Sequence, residues 1–188
     1  MTCIVAIVDK TKRIVMGADS SAVDELIHTE HIHSKVFRKG EFGIGYCHSF
    51  RLGQIIEFWF DPPPIPEDEK NLMRYMVRDF VPELKTVLED NDYPNHDDEK
   101  TDWSIIVGVA GHIFTIESDW HVGYDNIPYA AVGAGSSYAL GAMYGPAIDE
   151  DIHKTAANAL MAAQKFCPYV IGPFNFIEVP CERFGLYT

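Results

Sequence analysis

The chain has little positive charge. Fifteen Lys plus Arg stand against 28 Asp plus Glu in 188 residues, a formal net charge of −13. That balance repels phosphate, which excludes a general nucleic-acid binder and a protein held on anionic membranes by charge. Cysteine is scarce as well: Cys3, Cys47, Cys167 and Cys181 show no CxxC spacing and no dense framework. The expectation is therefore free thiols and a cytoplasmic location. No apolar run approaches the ~20 residues of a membrane helix. The opening MTCIVAIVDKTKR lacks a basic segment ahead of a cleavable apolar one. There is no internal repeat. What is present is ordinary, with 47% hydrophobic and 23% charged residues. This is the balance of a folded core, read as one domain over residues 1–188.

Residues 2–8 (TCIVAIV) form a nearly unbroken β-branched and apolar run, the pattern of a strand covered on both faces. A polar turn follows, and residues 13–18 (RIVMGA) return as a second strand. Asp19, Ser20 and Ser21 end this hairpin. Further strands are expected at 32–37 and 42–46, at 103–110 and 112–116 around Gly111, at 129–132 and at 174–179. Ser49 is placed to cap a helix over 51–60. A Pro-rich connection near 61–67 stops that helix, because consecutive prolines cannot donate to a helical ladder. Leu72, Met73, Met76, Val77, Phe80, Leu84, Val87 and Leu88 recur at helical spacing, giving a second helix over 67–88 with Pro82 as a bend. Residues 91–102 read as an acidic loop. A small-residue helix runs to about residue 144, and another covers 149–164. Blocks of strands alternating with helix pairs point to an α+β fold: two antiparallel sheets face to face with helices outside, a four-layer αββα sandwich.

The chemically informative residue is Thr2. Removal of Met1 is expected before so small a residue, and it leaves an α-amine on a threonine fixed by its strand. A hydroxyl becomes a useful nucleophile when a base takes its proton, and the amine, with an ordinary pKa of ~7.7–8.0, is such a base. Alone, a threonine in second place has little specificity. It gains weight from Gly17-Ala18-Asp19-Ser20-Ser21-Ala22 after the second strand and Ser34-Lys35-Val36-Phe37 further on, where an Asp and a Lys can form an ion pair.

Thr2, the GADSSA and SKVF segments and the later GAGSSYALGAMYG stretch together resemble the proteasome β-subunit family of N-terminal nucleophile hydrolases. The HslV-type bacterial peptidases look nearest. The resemblance spans residues 2 to 179 and implies an N-terminal threonine peptidase acting on unfolded protein or peptide. It further implies a closed homo-oligomeric ring, hexameric or heptameric and stacked or not, and an ATP-dependent unfoldase partner. Residue by residue, Thr2 would be the nucleophile and Lys35 a fixed positive charge beside it. Asp19 would orient Lys35, and backbone N–H groups at Tyr46-Cys47-His48 would face the oxyanion. Ser136 or Ser137 would give a supporting hydroxyl where this chain has Ala134 in place of the family's serine. His48 stands where the family usually has a glycine. Cys167-Pro168-Tyr169 matches the HslV-type Cys-x-Tyr pattern, which implies Na+ on the backbone carbonyls of Gln164, Cys167 and Val170. No other cofactor is expected. Tyr46 and His33 are expected to line the pocket for the side chain preceding the cut, favouring small side chains.

Other readings stay open at this level. The fold could serve a catalytically silent ring or scaffold subunit, or a small-molecule amidase. His28, His31 and His33 with Glu30 could ligate a metal, although strand alternation puts His28 on the opposite face from the other two. Gly133-Ala134-Gly135 lacks the third glycine and the βαβ unit of a dinucleotide loop, and reads better as close packing at a helix start.

Overall fold

A computed structural model describes residues 2–24, 27–30, 32–94, 102–144 and 151–181. Six strands come first: β1 (Cys3–Val8), β2 (Ile14–Ala18), β3 (Ser21–Asp24), β4 (Ile27–Glu30), β5 (Val36–Lys39) and β6 (Phe42–Cys47). Helices α1 (Phe50–Phe58), α2 (Leu72–Tyr75) and α3 (Val81–Asp90) follow. Then come β7 (Ser104–Val109), β8 (His112–Glu117), β9 (Val122–Gly123), β10 (Tyr129–Gly133), α4 (Ser136–Met143), α5 (Ile152–Phe166) and β11 (Asn175–Val179).

The strands build a four-stranded sheet in the order β10-β1-β2-β11 and a five-stranded sheet in the order β5-β6-β7-β8-β9, with antiparallel pairs throughout. Strand alternation sorts side chains between layers. Ile4 and Ala6 of β1, with Ile14, Met16 and Ala18 of β2, face Val36, Cys47, Ile106 and Ile113 across the gap between the sheets. Cys3, Val5, Ile7 and Val15 point the other way, onto Ala139, Ala156, Ala159, Leu160 and Ala163 of α4 and α5. The outer face of the second sheet packs Ile44, Tyr46, Ile105, Val107 and Phe114 against Leu52, Ile55, Ile56, Met76, Phe80 and Leu84. Three apolar cores separate four layers, so the αββα sandwich expected from the sequence is the fold. The four-stranded sheet is covered on both faces, which explains the unbroken apolar run of β1.

Several boundaries differ from expectation. The hairpin of β3 and β4, a separate two-stranded unit, was hidden by short, polar sequences. The strand expected at 32–37 begins at Val36, leaving Lys35 in the bend before it. The second helix is not continuous. A short 3-10 turn (Glu69–Asn71) precedes α2, and a π-turn over Met76–Phe80 separates α2 from α3. There the Val81 N–H donates to the Met76 carbonyl, five residues back, just before Pro82, which has no N–H to give. Ser49 caps α1 as expected, its hydroxyl accepting from the Leu52 N–H at 3.2 Å. Of the acidic loop, residues 95–101 lie outside the described residues. Among the described residues no helix is long and apolar enough to cross a membrane.

Candidate active site

The site lies at one end of the β1–β2 hairpin, where both strands leave the gap between the sheets. Asp19 follows β2, and its amide continues the ladder to the Cys3 carbonyl at 3.2 Å. Its side chain turns back on the same neighbour: Oδ1 accepts from the Cys3 N–H at 2.8 Å. Oδ2 accepts from the Ser21 N–H at 3.1 Å and from Lys35 Nζ at 3.0 Å. The Ser21 hydroxyl sits between Asp19 Oδ2 and the Tyr169 carbonyl, 2.8 Å from the latter, so its one proton is shared by two acceptors. Lys35 Nζ also donates to the Ser21 carbonyl at 2.6 Å and lies 5.8 Å from the centre of the Phe50 ring. Asp19 is 0% exposed, Lys35 1% and Thr2 3%. Burial pulls the Lys35 pKa below its ordinary value, and the Asp19 carboxylate pushes against that pull.

Thr2 is fixed through its backbone. Its carbonyl accepts from the Gly135 N–H at 3.4 Å. It lies against Gly133, whose φ of +91° suits glycine and where any Cβ would collide with the Thr2 carbonyl oxygen. Thr2 and the Asp19–Lys35 pair are thus joined through one residue, Cys3. Ser136 is the half-buried first residue of α4, next to the Gly135 amide that holds Thr2.

The second sheet supplies the other wall. Cys47 Cβ and the Thr2 carbonyl both bound the space over Gly133, which sets the end of β6 beside Thr2. Of the three amides singled out there, the Tyr46 N–H is used in a bond to the Lys35 carbonyl at 3.1 Å. The His48 N–H has no acceptor among the described residues. His48 has a φ of +77°, a left-handed backbone at the place where a glycine was expected. Its ring Nδ1 is 3.3 Å from Cys47 Sγ, and partial burial lowers its pKa. Burial also pushes the Cys3 thiol up to about 12 and the Cys47 thiol to about 11. Burial therefore disfavours the thiolate form of both.

The remaining candidates are placed as follows. Tyr46 is 4% exposed, its ring seated on Gly53 of α1, so it forms core rather than an open pocket wall. His33 packs edge-on to Phe58. His31, and the side chain of His28, lie outside the described residues; among the described ones no His, Cys, Asp or Glu cluster suits a metal. Gln164 lies in the last turn of α5, Cys167 caps it, and Val170 is buried in the loop beyond. The Cys167 carbonyl accepts from the Val170 N–H at 3.2 Å, and Gln164 Oε1 from the Gly172 N–H at 3.1 Å. The sequence reading missed the bridging role of Ser21 and the Tyr169 carbonyl. A hydroxyl two residues beyond a carboxylate was the available signal for the first; 148 residues of sequence separation hid the second.

No family model matches the chain, and no curated protein matches its sequence. Solved structures do match. Thiobacillus denitrificans BPH in complex with epoxomicin is 23% identical with a TM-score of 0.74, over 95% of this chain and 99% of that one. A second structure of Thiobacillus denitrificans BPH gives the same identity and TM-score over 96% and 100%. Eukaryotic HslV from Trypanosoma brucei is 18% identical with a TM-score of 0.65, over 94% and 98%. At such identities the likeness is one of architecture alone, and the chain has the HslV-type, proteasome-like αββα fold.

Proposed function

We propose that this chain is a threonine peptidase whose nucleophile is Thr2 once the bond between Met1 and Thr2 has been cut. The observation that carries the reading is the buried Lys35–Asp19 pair, tied to the amide of the residue after Thr2. An ammonium kept this far from water needs a strong reason, since breaking either partner leaves an uncompensated charge. Lys35 Nζ has three protons, and two are engaged by Asp19 and the Ser21 carbonyl. The third serves the Thr2 hydroxyl.

In this mechanism the Thr2 α-amine takes the Oγ1 proton as Oγ1 attacks the peptide carbonyl carbon. The positive charge of Lys35 favours the developing alkoxide and keeps the amine neutral. The His48 N–H donates to the oxyanion. The C–N bond then breaks, the amine's proton goes to the leaving nitrogen, and an ester links the acyl group to Oγ1. Water gives a proton to the α-amine, attacks the ester and releases the acid, and the proton returns to Oγ1. Ser136 supports the amine end of this relay. A Na+ ion would suit the neutral carbonyls of Gln164, Cys167 and Val170; Ser20, between β2 and β3, bonds that loop through its amide to the Ile171 carbonyl, and its buried hydroxyl has no partner among the described residues. The ion's charge would stiffen the loop that holds Ser21.

We assign the chain to a homo-oligomeric ring in the cytoplasm, hexameric or heptameric, with an ATP-dependent unfoldase feeding unfolded protein. Exposed aromatic residues on the outer helices support subunit contacts: Phe58 and Trp59 at the end of α1, and the Tyr138–Phe166 pair of α4 and α5.

Intact mass before and after epoxomicin tests the reading. Epoxomicin is a peptide epoxyketone; a hydroxyl adds to its ketone and an amine opens its epoxide, and no atom is lost. The expected results are loss of one methionine and one whole epoxomicin per chain, with no adduct in Thr2→Ala. Retained Met1 would block the amine and leave the silent ring subunit. A reactive monomer inert to peptides would be the small-molecule amidase.

A further inference from the structure

We propose that His48 contacts the substrate, its Nε2 accepting a hydrogen bond from a backbone N–H of the bound peptide. The inference rests on the reading of Thr2 as nucleophile. An L-residue in the left-handed region is strained relative to the ordinary helical well, and such strain gathers at functional sites. Here it falls at the junction of β6 and α1, beside Thr2, at a position a glycine would occupy without strain. The side chain is held in a defined way. The Cys47 thiol donates to the Ser104 carbonyl at 3.4 Å, so its sulfur is left as an acceptor. His48 Nδ1, 3.3 Å from that sulfur, is then the protonated nitrogen. Nε2, on the opposite side of the ring, carries the lone pair. Cys47 is buried and His48 is exposed, so Nε2 is the nitrogen turned to solvent. A strand end whose amide faces the oxyanion thus also offers an acceptor one side chain away.

The test measures inactivation by epoxomicin in processed wild-type protein and in three variants, separating KI from the limiting rate. Asn reproduces the reach of Nδ1 and Gln that of Nε2. Loss of one neutral hydrogen bond predicts a KI raised about fivefold in His48→Gly and His48→Asn. His48→Gln should stay within about twofold of the wild-type KI, and KI, rather than the limiting rate, is the quantity compared among the three because the position-48 amide itself faces the oxyanion. Thermal melts run alongside, with His48→Gly expected at or above wild type because the strain is relieved. A wild-type KI in His48→Gly, or a KI in His48→Gln as weak as in His48→Gly, overturns the role of His48 while the Thr2 reading stands. A wild-type chain lacking Met1 that forms no adduct overturns both.

Discussion

The β1–β2 hairpin carries a carboxylate at each end, and the two are bonded almost identically. Asp19 takes the Cys3 N–H, the Ser21 N–H and hydroxyl, and Lys35 Nζ. Asp9, in the turn at the far end, takes the Thr11 N–H and hydroxyl, and the Arg13 N–H and Nε. The difference is water. Asp19 is wholly buried, whereas Arg13 is 45% exposed; its second carboxylate neighbour, Glu178, lies 3.7 Å away and also binds His153 Nε2 at 2.6 Å. The Asp9 pKa is shifted down by its four hydrogen bonds, which outweigh its own burial. One set of contacts closes a turn. The other confines a charge beside a candidate nucleophile, and burial rather than bond count decides the difference.

The largest effect should come from Lys35→Ala. It leaves the Asp19 carboxylate buried without its cation, an expected loss of about 3–5 kcal/mol by urea unfolding. The double variant Asp19→Asn, Lys35→Met removes both charges and should recover part of that loss. Gly133→Ala comes next. Its Cβ displaces the Thr2 carbonyl from a left-handed position, costing of order 1–3 kcal/mol, and the epoxomicin adduct should form more slowly. Asp9→Ala removes as many contacts as the Asp19 site has, yet should cost only about 0.5–1.5 kcal/mol. A loss there equal to that of Lys35→Ala would break the comparison. Arg13→Ala should fall below about 1 kcal/mol and shrink further in high salt. The smallest effect concerns pH. The folded His48 pKa lies below its ordinary 6.5, so the unfolded chain takes the proton more readily. As pH falls from 6.5 toward the folded value, wild type should lose stability relative to His48→Gly, read as a widening of the margin by which the variant melts above it.

Much of this was written in local pattern. The β-branched run of β1, the Gly111 turn and the Ser49 cap announce themselves within a few residues, and the candidate nucleophile, acid and lysine stand in segments of recognisable spacing. The missed parts depend on distant neighbours. Nothing in SAVD or IHTE marks a pair of strands until the two lie side by side. The π-turn follows from Pro82, but its exact register is set by packing of Met76 and Phe80 into the core. Tyr46 reads as a pocket residue in sequence because the gap that swallows its ring, opened by Gly53, is on another element. The Tyr169 carbonyl belongs to a loop that no local signal connects to Asp19.

β1 is paired on both sides, with β10 and with β2, and the sheet it belongs to is covered above and below. Its amides should therefore be among the slowest to exchange with deuterium, opening only when the whole domain does. Thr2 is the residue before the first of them. The candidate nucleophile is thus anchored to a strand expected to be among the most protected, so reactivity toward an electrophile should vanish at the same temperature as the fold, with no earlier inactivation step.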